Sequence, residues 1–314
     1  MSLCQTAMPA GRSVAGLLRR ETWTAAAVAV VAAAVGLGAM TAAQSQSPQF
    51  PERRVQHGSQ TEELEIPAPA ADAAMRTNVA RPTGPGPFPL AVINHGTVEN
   101  QELRENYPPP NFPLMSARLL KHDYAVALPQ RPGHGDTGGS YLESPRGCDD
   151  AQFADAGYAA AASIGTAVDY LLRLPYVKKQ RVLLVGHSAG AWASLALASQ
   201  APQLVAAVIN FAGGLGGHSF DKPNRNCAPE KLVGAAAAYG RNSRMPTLWL
   251  YAENDSYFGP ALSQRLANAY RAAGGLADYR LLPPVENDGH YLIYSAAAER
   301  LWGPIVDRFV EGLR

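Results

Sequence analysis

The chain has 314 residues, 47% of them hydrophobic and 17% charged, enough apolar material for one large mixed domain or two small ones. Its 27 basic and 26 acidic residues nearly balance, which excludes the basic excess that marks a nucleic-acid partner. It contains no internal repeat, no heptad run and no zinc-type Cys/His spacing.

The N-terminus reads as an export signal. Arg12, Arg19 and Arg20 make a basic region, residues 23–40 an alanine- and valine-rich apolar run, and Thr41-Ala42-Ala43 a small-residue cleavage site. The run falls short of the ~20 strongly apolar residues a membrane span needs. Cleavage is therefore expected rather than retention as an anchor, and membrane contact only through an uncleaved signal. Arg19-Arg20 also fits a twin-arginine signal. The expected organisation is a signal over 1–43, a polar linker over 44–61 and a folded domain over 62–314, exported to the periplasm or secreted. Without the signal, 24 basic and 25 acidic residues remain. Cys4 leaves with it. Cys148 and Cys227 stay as a pair in an oxidising compartment, where a disulfide between them is expected, with two free loop thiols as the alternative.

Residues 62–67 alternate polar and apolar and predict an edge strand, and residues 75–81 predict its hairpin partner. Residues 90–94 are a short, continuous apolar run, the pattern of a strand buried on both faces. His95-Gly96-Thr97 follows, then a proline-rich loop and a helical pattern over 112–121. Residues 124–128 predict the next buried strand, which ends in Arg131-Pro132-Gly133-His134-Gly135-Asp136-Thr137-Gly138-Gly139. A long helix over 155–174 is stopped by Pro175. Further strands are expected from 182 into the turn at Ser188, and at 204–211, 247–251 and 278–282. Helices alternate with them, one from that turn to about 200 and others at 229–239, 261–273 and 301–313. This alternation predicts a mostly parallel sheet of about eight strands with helices on both faces. In such sheets chemistry gathers at the carboxyl ends of the strands.

The densest signal is Gly186-His187-Ser188-Ala189-Gly190, a G-x-S-x-G pattern between an apolar strand and an alanine-rich helix. A serine hydroxyl needs a base within hydrogen-bond reach and a third group to orient that base. Of the seven histidines, only His290 follows the last predicted strand. Asp255, just past the strand at 247–251, is the favoured acid; Glu253 is its nearest rival and Asp288 a more distant one. Helix capping is the other use for Asp255. Donors for an oxyanion are expected at the amide of Ala189 and in the loop at Gly96 or Thr97. The Thr97 side chain serves either as a donor or to close its turn. Trp192 is expected in the core. Tyr257 and Phe258 are expected either to line an acyl pocket or to pack under their loop.

These motifs, with Asp255 and Gly289-His290, resemble the α/β-hydrolase superfamily over residues 62–314. The likeness is greatest to its dienelactone hydrolase-like and exported esterase or peptidase branches. Dienelactone hydrolases proper are similar to enzymes with a cysteine nucleophile, where this chain has Ser188. The resemblance implies cleavage of a small-molecule carboxylic ester through an acyl-enzyme, without a metal or organic cofactor. A peptidase, an acyltransferase or a non-catalytic envelope protein would carry the same motifs. Relatives often insert a large lid after the sixth strand; here residues 213–228 leave room only for a short one, so no lid domain and a rather open site are expected.

Overall fold

The structure, a computed structural model, describes residues 58–313. The predicted signal and nearly all of the predicted linker lie outside the described residues. Eight strands form one sheet: β1 (Ser59–Ala68), β2 (Ala73–Pro82), β3 (Leu90–Asn94), β4 (Ala125–Pro129), β5 (Val182–His187), β6 (Val205–Phe211), β7 (Pro246–Ala252) and β8 (Leu276–Leu282). Their spatial order is β1-β2-β4-β3-β5-β6-β7-β8. The β1–β2 and β2–β4 pairs are antiparallel and every other pair is parallel. Each residue of β3, β4 and β5 is buried, as expected of uninterrupted apolar strands inside a helix-covered sheet.

Seven helices cover the two faces: α1 (Gln101–Glu105), α2 (Pro113–Lys121), α3 (Phe153–Leu171), α4 (Ala189–Gln200), α5 (Pro229–Asn242), α6 (Pro260–Ala272) and α7 (Ala296–Glu311). Helix α4 is apolar all round and is buried from Ala189 to Ser199, under the sheet and against α3 and α5. Trp192 is fully buried there and donates to the Phe153 carbonyl, so the expectation of a core role holds. On another side, Arg118 of α2 is ion-paired with Glu299 and Asp307 of α7. Among the described residues, no helix is long and apolar enough to cross a membrane.

Three local differences from the sequence reading have physical causes. The proline-rich stretch after β3 contains α1, a single turn started by the Asn100 side chain accepting from the Leu103 amide. Helix α3 ends at Leu171, because Leu172 to Leu174 close as tight turns before Pro175. Strand β1 begins at Ser59, since its pairing to β2 runs on to Ser59 opposite Pro82.

The order places the functional loops. From β3 the chain steps to one side for β4, then returns across β3 to lay β5 on its other side. Loops leaving β3 and β5 therefore emerge side by side at a switch point of the sheet, where such folds open a crevice. The segment between β6 and α5 holds only a 3-10 turn, Ser219–Asp221, and no lid domain. It is tied down by a Cys148–Cys227 disulfide, with Cα atoms 5.1 Å apart. That bond closes a loop with a sequence separation of 79. In the chain-entropy account such a loop is worth about 4–5 kcal/mol. Reduction should therefore lower the melting temperature by roughly 10 °C, with two thiols becoming titratable. An unchanged melting curve would show that the bond contributes nothing.

Candidate active site

Ser188 sits between β5 and α4 with φ +54° and ψ −124°, a conformation L-residues rarely adopt. Two glycines make this turn possible. A Cβ on Gly186 would lie 2.4 Å from the Ala191 amide nitrogen, and one on Gly190 2.2 Å from the Asn94 carbonyl oxygen. The serine amide donates to the Phe211 carbonyl at 3.0 Å, and its own carbonyl accepts from Ala191 and Trp192. The hydroxyl is thus lifted above the sheet, half-buried, at the N-terminus of a helix.

The structure brings Ser188, His290 and Asp255 together. Ser188 Oγ lies 3.1 Å from His290 Nε2. His290 Nδ1 lies 3.3 Å from Asp255 Oδ1 and 3.4 Å from Oδ2. His290 and Asp255 are buried. Asp255 Oδ1 also accepts from the amides of Tyr257 and Phe258, each at 2.8 Å. Burial pushes the Asp255 carboxyl up, but the neighbouring His290 and these two amides outweigh it and hold it below the usual carboxylate range. A carboxylate can only accept, so Nδ1 of a neutral His290 carries the proton and Nε2 is left to accept from Ser188.

The rivals go elsewhere. Glu253 is exposed. Asp288 accepts from the amides of Ser256 (3.1 Å) and His290 (2.9 Å) and from the Ser256 hydroxyl (2.6 Å). It fastens the loop that carries His290 to the loop that carries Asp255.

The β3 loop stands beside the serine, as the pairing of Asn94 with Gly186 requires. A Cβ on Gly96 would come within 3.3 Å of Ser188 Cβ. Ala189 opens α4, so its amide is among those that no carbonyl of its own helix accepts.

A sequence profile described as the alpha/beta hydrolase family matches residues 92–312. The chain belongs to the alpha/beta hydrolase family. A putative dienelactone hydrolase from Klebsiella pneumoniae subsp. pneumoniae is similar to it, at 19% identity and TM-score 0.53, over 80% of this chain and 98% of that one. An esterase from Pyrococcus furiosus matches at 14% and 0.55, over 80% and 92%. An acylaminoacyl peptidase from Pyrococcus horikoshii matches at 13% and 0.59, over 81% of this chain and 42% of that one. At such identities the likeness establishes the fold. No curated protein sequence matches the chain.

Around the serine, this alpha/beta hydrolase holds a buried polar frame that its sequence did not reveal. Arg131, after β4, is fully buried and forms a two-pronged pair with buried Glu143, at 2.6 and 3.0 Å. Its guanidinium also donates to the His95 carbonyl at 2.7 Å and, at 3.5 Å, to that of Gly96. The Arg131 amide donates to His95 Nε2 at 2.9 Å, so His95 is protonated at Nδ1, which donates to the Gly96 carbonyl at 2.6 Å. The only hint was the charged residue in a glycine-rich loop; its partner Glu143 is in an unremarkable stretch twelve positions later.

His134 settles the role of Thr97. Its Nδ1 faces the Arg131 and Pro132 carbonyls, which only accept, so Nδ1 carries the proton. Burial pulls this histidine down to about 4, so Nε2 is bare at neutral pH. Thr97 Oγ1, 2.7 Å away, therefore donates to it. The Thr97 hydroxyl proton is committed to His134 and points away from donor duty toward Ser188. His187, inside the elbow, donates Nε2–H to the His290 carbonyl at 2.9 Å. Burial, then the neighbouring His290, push it down to about 3. Burial, then Arg131, also hold His95 far below the ordinary value.

Phe258 is buried, whereas Tyr257 is half-buried and lies flat on the His290 ring, centroids 4.0 Å apart.

His134 and His187 thus stay largely neutral in the folded protein at pH 5, with His95 shifted in the same direction, while unfolded imidazoles take up a second proton. The unfolded state then holds more protons, so stability is full above the unfolded pKa near 6.5 and falls as pH drops below it. His134 and His187 each contribute a slope of about 1.4 kcal/mol per pH unit once the unfolded chain is protonated, and His95 acts in the same direction. The melting temperature should fall steeply between pH 6.5 and 5, and less steeply in His134→Gln. Arg131→Met strands Glu143 and should cost about 3–5 kcal/mol in urea unfolding. Adding Glu143→Leu should recover most of that loss.

Proposed function

We propose that this chain is an exported serine hydrolase that cleaves small carboxylic esters through an acyl-enzyme. The observation that carries the reading is the contact of Ser188 Oγ with His290 Nε2 at 3.1 Å, made from a strained turn and backed by Asp255. His290 takes the serine proton as Oγ attacks the ester carbonyl carbon. Asp255, kept charged by two backbone amides, holds the imidazole in its tautomer and balances the imidazolium that forms. The oxyanion is met by the amide of Ala189 and by that of Gly96 or Thr97. The Thr97 side chain plays no part in this, because its proton goes to His134. Collapse expels the alcohol, which receives the proton from His290. Water then attacks the acyl group on Ser188, with His290 again as base, and the carboxylic acid leaves.

A peptidase or an acyltransferase would share every step to the acyl-enzyme; only the leaving group or the acceptor differs. Proteins similar to it in fold include both an esterase and an acylaminoacyl peptidase. Export to the periplasm or medium agrees with the disulfide, which persists in oxidising compartments.

A fluorophosphonate probe should add to Ser188 of the wild type, read as a mass increase on that residue, and leave Ser188→Ala unlabelled. The same variant should lose p-nitrophenyl acetate turnover by at least about 10⁴-fold and keep its melting temperature. An unlabelled wild type would mean a protein that keeps the fold without the chemistry. Short-chain esters, long-chain esters, lactones and aminoacyl amides compared side by side would rank the acyl groups.

A further inference from the structure

We propose that His218 is a positioning residue for the His290 imidazole and acts on it through Tyr257; this rests on the reading of His290 as the base. His218 lies on the loop after β6, far in sequence from the base. Its ring stacks on Tyr257 with centroids 3.5 Å apart and planes 10° apart. Tyr257 in turn stacks on His290, at 4.0 Å and 22°. The three rings form one pile, with Tyr257 in the middle.

A chain of hydrogen bonds closes the pile into a circuit. His218 Nε2 is 2.7 Å from Ser256 Oγ. Ser256 Oγ donates to Asp288 Oδ2 at 2.6 Å, so it accepts from the His218 N–H. Asp288 accepts from the His290 amide at 2.9 Å. The path therefore leaves His290 through ring contact and returns to it through its own backbone. Moving His218 disturbs the ring and the main chain of the base together.

The loop is built to bring His218 to this place. A Cβ on Gly217 would lie 2.8 Å from the Tyr257 ring, so a side chain there would lift the loop off. His218 itself takes a left-handed conformation, φ +54°. The Asn224 amide donates to the Ser256 carbonyl and the Asn226 side chain to that of Tyr257, so the β6 loop is docked on the β7 loop. Cys227 then ties its far end to Cys148.

The pile has two uses. It stops the His290 ring from tipping away from Ser188, which matters because small misplacements are costly in rate. It also lays the electron-rich face of a phenol against an imidazole that becomes positive only as the reaction proceeds. Both act on the chemical step and not on substrate affinity. Both faces of Tyr257 are occupied, so it offers the substrate no stacking surface.

The test uses the full mature chain with its disulfide intact, p-nitrophenyl acetate kinetics and the rate of fluorophosphonate labelling at Ser188. His218→Ala should lower kcat about ten-fold, leave KM within about two-fold and slow labelling by the same factor as kcat. His218→Phe keeps a ring on Tyr257 and loses only the bond to Ser256; it should recover most of the loss. Ser256→Ala, which keeps both rings, should fall between the two and decides the matter together with His218→Phe if His218→Ala does not fold. Wild-type kcat in His218→Ala, a loss confined to KM, or no recovery in His218→Phe would each overturn the proposal. If His218→Ala does not fold, wild-type kcat in Ser256→Ala or a loss in His218→Phe as large as that in Ser256→Ala would overturn it. An unlabelled wild type would overturn the reading of Ser188 and His290 itself, which the first set of outcomes leaves standing.

Discussion

The backbone of Ser188 occupies a conformation that costs about 1–3 kcal/mol for a residue with a side chain, and much of the molecule is arranged so that it cannot relax. Its amide is held by β6, its carbonyl by the first turn of α4, and its flanking glycines by β3 and α4 at distances no Cβ would tolerate. Helix α4 is locked in turn because nearly every residue in it is buried. Relaxing one torsion would mean moving three strands and a helix. The hydroxyl therefore arrives in place with the fold and needs no reordering when a substrate binds.

Around that point the electrostatics are kept sparse. Three buried histidines near the serine are neutral, each with its tautomer set by a backbone group on one nitrogen. The charge of Arg131 is cancelled where it stands by Glu143, so the guanidinium can pin the His95-Gly96 backbone without leaving a net cation there. Asp255 is the carboxylate left facing the His290 ring. The adjacent His187, pushed down by burial and then by His290, resists protonation, so it adds no second positive charge beside that ring.

The inner sheet was legible because its strands are uninterrupted apolar runs, and the elbow because it joins one such run to an alanine-rich helix. Ser188, His290 and Asp255 could be read from chain order: each follows the carboxyl end of a strand, and those ends converge in a parallel sheet. What the sequence hid are contacts between loops. Arg131 and Glu143 are twelve residues apart on a loop with no periodicity. His218, Ser256 and Asp288 come from three separate loops and meet only through the sheet's order. Single-turn α1 was hidden for another reason, since one capping asparagine started it where prolines suggested coil. Thr97 shows the limit most clearly. The sequence suggested a donor or a turn-closing hydroxyl, whereas its proton goes to a histidine 37 positions away, a partner only the fold brings near.

Cys148 precedes the elbow in the chain and Cys227 follows it, so β5, α4 and β6 lie inside the covalent ring that this pair closes. The sequence holds one other cysteine, Cys4. Three cysteines allow three pairings, and the structure holds one of them, Cys148–Cys227. The ring also keeps the halves of the crevice together after a backbone cut: a protease that nicks a surface turn between the two cysteines leaves both fragments joined.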